Sequence, residues 1–580
     1  MVGDKLFNWA RSVRGQWILL LLFIGIAFFI NLGADGLFSA QEGRAAVLTR
    51  NMIRSGNWLL LEFPGAPENE KPVLSYWLYA IAASGFGLNE FALRLPGVLA
   101  GLLTVILTVH LAGKIYDRPT AFLSGYLLAS MATFLTLTRA VRIDIILTAF
   151  CTLELVLLYH GYFRERKATR WLYLFYAVTG IGMMVKGPVN AVLPALTIII
   201  YLVAFRRWRM FWELKPVSGI LIMLLLGTPW FIYESMRTHG QFAFEFFVYH
   251  NIERFIGGSD LKEGKHAPLY FYFGKLFVGA LPWSLLIPFG LWQYWRQWRS
   301  LRRETWYLII WIIAVFVFFS IAAIKRGDYI LPLYPALAIL SARYLVRLDA
   351  ARLKLSRKWV YGWGVLVGVA VLAFGLFVSG AIYRLGEKAT GNDVPHLCIR
   401  DGQSMMQVSD LVNGHRIATL LVAAIILTFL FLVGKVLARG EIFRALTWFL
   451  PGMLLLIVLF FQFLQPILDV YNTNKPFCAD VRRLVPPGKT VAMVWNYDPE
   501  IVYYIDRHYV IVPGNKAEEA IPANDYLIIF ADKDYPRKFK IRPDAKDFAV
   551  MCESPQGHNS PAVLLGRKTA LLRDGVKIPQ

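Results

Sequence analysis

Residues 93–111 read LRLPGVLAGLLTVILTVHL, a run with no acidic residue. At 1.5 Å per residue such a run, wound as a helix, crosses the roughly 30 Å hydrocarbon core of a bilayer. Working outward from it, similar apolar runs recur at 17–32, 120–137, 145–158, 171–184, 191–205 and 217–233, then at 276–292, 306–322, 330–342, 359–382, 418–434 and 445–463. The pattern predicts a polytopic α-helical membrane protein of about 13 spans. Composition agrees: of 580 residues 57% are hydrophobic and only 17% charged, with a mean hydropathy of +0.49. Those values exclude an ordinary soluble enzyme and a disordered chain. The 18 tryptophans suit a protein with many membrane interfaces to anchor. No cleavable leader is expected, because the first run lacks a small-residue cleavage site.

Charge orients the spans. With the N-terminus inside, the segments 1–16, 112–119, 160–170, 206–216, 293–305, 343–358 and 435–444 carry 26 Lys and Arg in 85 residues, and the outer segments 18 in about 157. The inner set supplies +19 of the net +22, so an anionic leaflet accounts for the basic balance and no nucleic acid is needed. An odd number of spans puts the C-terminus outside. The chain is therefore expected to divide into a membrane domain, 1–463, with outer loops at 33–92 and 234–275, and a small outer-face α/β domain, 464–580. In the latter, β-like runs at 490–495, 509–512, 526–531, 548–552 and 563–566 alternate with helix-like stretches at 476–484 and 498–504.

The outer loops hold the candidate chemistry. The first contains Gln41, Glu42, Gly43 and Arg44, and later Glu70 and Lys71; short turns add Arg139, Arg142, Asp144 and Lys186. Another long loop brings His250, Arg254 and His266, and a last turn Lys325, Arg326, Asp328 and Tyr329. A cation at a membrane edge usually reaches for headgroups. Here cations persist in short turns that the positive-inside bias should deplete, which points to an anionic ligand, with phosphate the obvious one. The four cysteines, Cys151, Cys398, Cys478 and Cys552, show no metal or redox spacing. Asp532, Lys533 and Asp534 read as a polar turn after a strand, and no glycine-rich phosphate loop is present. Glu154 is an acid within a span, expected to hydrogen-bond inside the bundle or to line a lipid cavity.

In order along the chain stand QEGR (41–44), RNMIRSGNW (50–58), EKPVLSYWL (70–78), RLPGVLAGLL (94–103), TRAVRIDIILTAF (138–150), VKGPV (185–189) and HNIERF (250–255). They are followed by HAPLYFY (266–272) with LPW (281–283), and by KRGDYILPLYPALA (325–338). This series resembles the polyprenyl-phosphate-sugar glycosyltransferases of the GT-C superfamily, which include the 4-amino-4-deoxy-L-arabinose lipid A transferases and the protein O-mannosyltransferases. The resemblance implies a GT-C fold with helices lying along the membrane in the first outer loop, an outer-face active site in a bacterial inner membrane, and an inverting transfer. It implies Glu42 and Asp144 as catalytic acids. Two departures are visible: Gln41 stands where the family motif has Asp, and His250 with Asn251 where aminoarabinose enzymes have a Glu-His pair.

The chemistry can be built from the donor itself. A polyprenyl-phosphate sugar releases a phosphate that gains charge as the glycosidic bond breaks, so cations matter more than a general acid. Lys71, Arg142, Lys186, Lys325 and Arg326, with Tyr329 as hydrogen-bond donor, are the candidates for that phosphate. Arg44, Glu70, His250, Arg254 and His266 are candidates for the rest of the substrate. A hydroxyl acceptor needs a carboxylate to take its proton, whereas a phosphate acceptor needs only orientation. No cofactor is required; the spacing of His250 and His266, even with Glu70, does not define a metal site. The expected reaction moves a sugar, 4-amino-4-deoxy-L-arabinose or a related one, to lipid A or another envelope glycolipid. Hexose, uronic acid or protein O-glycosyl transfer is the alternative within the class, and a lipid-linked-sugar transporter or flippase the alternative outside it, though no half-to-half repeat is visible.

Overall fold

The computed structural model describes residues 12–350 and 442–576, apart from 64–65, 165–167, 258–266, 467–468, 470–472, 496, 514–522, 531–546, 555–561 and 575. The expected spans at 359–382 and 418–434, His266, Cys398 and the Asp532–Asp534 turn lie outside the described residues. The chain separates into two units, one of residues 1–35 and 44–346, the other of 36–43 and 347–580.

The first unit is helical. In chain order it holds α1 (Val13–Phe29), most of α2 (Ala40–Ser55), a two-residue hairpin of β1 (Glu62–Phe63) and β2 (Ala66–Pro67), α3 (Leu74–Phe86), α4 (Glu90–Ile115), α5 (Arg118–Ser130), α6 (Ala132–Thr138) and α7 (Ile143–Leu158). There follow α8 (Thr169–Lys186), α9 (Val189–Ala204), α10 (Pro216–Gly227), α11 (Pro229–Arg237), α12 (Arg303–Ile321) and α13 (Tyr334–Ala350). Among the described residues four helices are long and apolar enough alone to cross a membrane, or up to six when each bent pair counts as one. This is a multi-pass membrane protein.

Three expected spans are broken, and that at 276–292 is divided between a helix over Phe271–Gly279 and another over Ile287–Arg296. α5 and α6 meet at 68°, and α10 and α11 at 47°. At the second break Pro229 opens the new helix, where its missing N–H costs nothing. At the first, Met131 adopts extended backbone between two helical stretches.

Polar groups in this apolar setting find internal partners. Arg139 donates to the carbonyls of Ala27 (3.1 Å), Phe28 (3.0 Å) and Ile30 (2.5 Å), and Arg94 to those of Leu32 (3.0 Å) and Asp35 (2.9 Å). These are carbonyls at and just beyond the end of α1 that its own helix leaves open, and cations suit that end of the helix dipole. Arg139, expected among the ligand-facing cations, therefore serves α1. Helices α8 and α10 approach closely: a Cβ on Gly180 would lie 2.5 Å from the Met223 carbonyl oxygen, and one on Gly227 2.7 Å from that of Gly180. Only glycine permits that crossing.

The second unit contains α14 (Ile442–Leu459), α15 (Lys475–Leu484), β3 (Thr490–Trp495), α16 (Pro499–Tyr504), β4 (His508–Pro513), β5 (Tyr526–Phe530), β6 (Phe548–Glu553), β7 (Ala562–Arg567) and α17 (Lys568–Arg573). Every run read as β-like forms a strand. The sheet order is β4-β3-β5-β7-β6, with β4, β3 and β5 parallel and β7 antiparallel to both neighbours. Alternate residues Ala492, Val494, Leu527 and Ile529 join Val512, Phe548 and Leu565 in a core, as the two-residue strand period dictates. Residues 36–43 group with this unit. The Leu37 amide donates to the Tyr504 hydroxyl (2.9 Å), the Gly36 amide to Asp469 (3.0 Å), and a Cβ on Gly43 would lie 2.5 Å from the Glu500 nitrogen.

Candidate active site

Helix ends build the first charged cluster. Asp144 lies in the first turn of α7 and Lys186 is the last residue of α8, so each charge complements the dipole of its own helix. The two form an ion pair. Gly187, at φ +84°, turns the chain beyond Lys186, and a Cβ there would lie 2.5 Å from Phe246. The turn before α13 adds Arg326, Asp328 and Tyr329. Lys186 Nζ sits 4.2 Å from the Tyr329 ring centroid, Arg142 Nη1 lies 3.7 Å from Asp328 Oδ2, and Arg326 Nε 3.9 Å from Asp328 Oδ1. The last two distances are ion pairs too long for hydrogen bonds. Arg142 keeps Nε and Nη1 buried with no hydrogen-bond partner. Three cations thus face two carboxylates, leaving the cluster net positive.

The second cluster is built mainly from the stretch between α1 and α3. Arg44 pairs through Nε with Glu68 (2.5 Å) and through Nη1 with Glu70 (3.3 Å); Lys71 (2.6 Å) and Arg254 (3.0 Å) both reach Glu70 Oε1. Burial pushes the Glu70 carboxyl up, but Lys71, Arg44 and Arg254 outweigh it and hold it well below the ordinary carboxylate range. For Glu68 burial wins over Arg44, and its carboxyl is raised. Asn69 extends the cluster by donating to Glu245 (2.8 Å).

The structure therefore gathers Arg142, Asp144, Lys186, Arg326 and Tyr329 in one place, and Arg44, Glu70, Lys71 and Arg254 in another. Lys325 is turned elsewhere: its ammonium donates to the carbonyls of Ala267 (3.0 Å) and Ala322 (2.5 Å). His250 packs edge-on against Tyr249 with ring centroids 5.0 Å apart. Glu42 is fully buried in the second unit, its amide donating to Ser39 Oγ (3.2 Å) and its carboxylate accepting from the Phe38 amide (3.1 Å). That is close to a reciprocal helix cap, readable in the Ser39-x-x-Glu42 spacing. Asp328, named in its turn but given no role from the sequence, and Glu68, not singled out there, join the two clusters as further acids. Among the described residues no three His, Cys, Asp or Glu side chains are grouped to hold a metal ion.

Between α3, α4 and α7 runs a groove of 440 Å³, lined only by apolar or aromatic residues, among them Ile81, Leu99, Leu103, Ile146, Phe150 and Leu153. Its α7 wall, Ile146, Ala149, Phe150 and Leu153, lies on the face of that helix opposite Asp144.

Comparison with known proteins matches residues 70–233 to the family model "dolichyl-phosphate-mannose-protein mannosyltransferase". The undecaprenyl phosphate-alpha-4-amino-4-deoxy-L-arabinose arabinosyl transferase of Aeromonas salmonicida is 30% identical over 414 residues, 70% of this chain and 74% of that protein. The protein of the same name from Pseudomonas aeruginosa is 32% identical over 62% of this chain, which spans 65% of its length. Among solved structures, ArnT from Cupriavidus metallidurans bound to undecaprenyl phosphate superposes with a TM-score of 0.76 at 20% identity, covering 98% of this chain and all of that one. The archaeal oligosaccharyltransferase AglB from Archaeoglobus fulgidus, in complex with an inhibitory peptide and a dolichol-phosphate, superposes with a TM-score of 0.51 at 13% identity over 90% of this chain and 70% of that one. Taken with the ordered motifs and the helical architecture, these likenesses show that the chain belongs to the GT-C glycosyltransferases that use lipid-linked sugar donors, in the family of the undecaprenyl phosphate-alpha-4-amino-4-deoxy-L-arabinose arabinosyl transferases.

Proposed function

We propose that the protein transfers a sugar, 4-amino-4-deoxy-L-arabinose or a close relative, from undecaprenyl phosphate to lipid A or another envelope glycolipid at the outer face of a bacterial inner membrane. The observation that carries this reading is the net-positive cluster of Arg142, Asp144, Lys186, Arg326 and Asp328 at the ends of apolar helices. The cations take the phosphate of the donor. In this reading the N-terminus is cytoplasmic, about 13 spans cross the membrane, and residues 464–580 form a periplasmic domain; the excess of Lys and Arg in the inner segments supports that orientation.

As the sugar C1–O bond breaks, its electron pair stays with the departing phosphate, which becomes a dianion. Lys186, Arg142 and Arg326 are placed to offset that charge in a setting of low dielectric, where fixed cations act most strongly. Tyr329 shares the ammonium of Lys186 through its ring face. Asp144 orients Lys186, and takes a proton where the acceptor is a hydroxyl. Glu70, with Lys71, Arg44 and Arg254 around it, offers charged and hydrogen-bonding groups for the sugar and acceptor. Lys325 holds the turn and Glu42 the start of α2.

The test is transfer by the purified protein in lipid, from undecaprenyl-phosphate-linked 4-amino-4-deoxy-L-arabinose to lipid A, read as a mass gain. Lys186→Ala is expected to lower the rate by roughly 100-fold. No transfer by the wild type from this donor, or from hexose and uronic acid donors, would sink the reading.

A further inference from the structure

Below the Asp144–Lys186 pair the apolar bundle encloses a polar group that the reaction as drawn does not use. Glu154 is on α7, ten residues beyond Asp144, and is 0% exposed. Ten residues of helix carry it about 15 Å deeper. One carboxyl oxygen, Oε1, accepts from Asn190 Nδ2 at 2.5 Å, while Oε2 is buried with no hydrogen-bond partner. A carboxyl in such a place is costly, and natural chains keep few of them without a purpose.

Asn190 explains the arrangement. It stands in the first turn of α9, four residues after Lys186, and is likewise 0% exposed. Its backbone amide closes the intervening turn by donating to the Gly187 carbonyl (3.2 Å). From there the side chain reaches two other helices. Its Nδ2 serves Glu154 of α7 and approaches the Thr179 carbonyl of α8 (3.5 Å), and its Oδ1 faces Cys151 Sγ of α7 at 3.8 Å. Gly182 of α8 makes the space, because a Cβ there would collide with the Asn190 amide. One side chain therefore joins α7, α8 and α9 directly beneath the turn that presents Lys186. α7 carries Asp144 at its start and α8 carries Lys186 at its end, so the separation of these two charges is set by how the three helices are clamped.

We propose that Glu154 and Asn190 are positioning residues for Lys186: the buried Glu154–Asn190 hydrogen bond fixes the α8–α9 turn against α7 and so holds the ammonium where the departing phosphate forms. The inference rests on the transferase reading for the chemistry that Lys186 performs. A displacement of about 1 Å at a reacting group costs on the order of 100-fold in rate, which sets the size of the expected effect. The clamp needs an acceptor at Glu154 and a donor at Asn190, and does not need a charge. Glu154→Gln meets the first requirement and Glu154→Leu does not.

The experiment is a double-mutant cycle on the full-length protein in lipid, measuring kcat and KM for the polyprenyl-phosphate sugar and, separately, the dissociation constant of undecaprenyl phosphate. Asn190→Leu and Glu154→Leu are expected to lower kcat/KM by roughly 10- to 100-fold, and Glu154→Gln to keep at least about half of it because the acceptor oxygen survives. In a Lys186→Ala background, Asn190→Leu should change the rate by less than about twofold, since the residue it positions is gone. Equal losses in both backgrounds, or a Glu154→Gln variant as impaired as Glu154→Leu, would overturn the proposal; so would full activity of Asn190→Leu. Should Asn190→Leu fail to fold, the Glu154→Gln and Glu154→Leu pair carries the decision. A wild type that binds undecaprenyl phosphate yet transfers no sugar overturns the transferase reading instead, and the cycle is then read in the binding constants by the same criterion.

Discussion

Glu42 shows how a residue's neighbours decide between chemistry and architecture. Its carboxylate accepts the Phe38 amide and its own amide is held by Ser39, at full burial. A base must release such a bond before it takes a proton, whereas a cap only has to keep it. Glu42→Gln retains an acceptor oxygen, so transfer is expected to stay within about threefold of wild type. Glu42→Ala should cost about 1 kcal/mol of stability, the usual worth of a helix cap, read as a lower unfolding temperature. A tenfold or greater loss of turnover in Glu42→Gln, with unchanged unfolding, would return Glu42 to the role of base. The residue types of the first cluster were legible in the sequence, because cations in short turns expected on the outer face run against the membrane's charge bias, and those of the second through the motifs QEGR, EKPVLSYWL and HNIERF. Their grouping was not. Glu70 is joined by Arg254 from 184 positions away, and nothing local to HNIERF announces that partner.

Helix α16 raises the same question for an element. Glu500, in its first turn, is 3% exposed and accepts from the Thr473 hydroxyl and, at 2.7 Å, from the Asn474 amide. Burial pushes its carboxyl up to about 9; the bond from Thr473 opposes this, Asp498 adds to it, the Asn474 amide opposes it, and Glu42 adds again. The folded chain thus keeps a proton that the unfolded chain loses near the ordinary 4.5. Stability is complete below that value and falls steadily as pH rises towards 9, where the folded form also ionises. Unfolding of the β3–β7 unit followed between about pH 5 and 9 should show the decline, and Glu500→Gln should flatten it. An unchanged slope in that variant would show that other groups set the dependence. At this scale the strands were legible to within a residue or two, since their apolar runs are bounded by Pro, Gly and charged residues. The breaks in the helices were less so. An apolar run records burial in lipid; the 47° bend is marked by Pro229, whereas the 68° bend falls at Met131, where no neighbouring Pro or Gly announces it.

For the whole molecule, orientation is the claim with the widest reach, because every proposed site residue changes compartment with it. A C-terminal alkaline phosphatase fusion is expected to be active, and a cytoplasmic reporter at the same place silent; the reverse pattern would move the site to the wrong face of the membrane. The contacts of Arg139 and Arg94 with the end of α1 have a consequence for how the protein is made. The carbonyls of Ala27 and Phe28 wait for a guanidinium that lies 112 and 111 positions downstream. At a synthesis rate of about 5–20 residues per second, the first helix stays uncapped in the translocon for roughly 6 to 20 seconds after it emerges. Nascent chains arrested before residue 139 should accordingly be cleared by membrane proteases sooner than chains arrested just after α7, so that a single arginine marks the moment at which the growing polypeptide becomes safe from quality control.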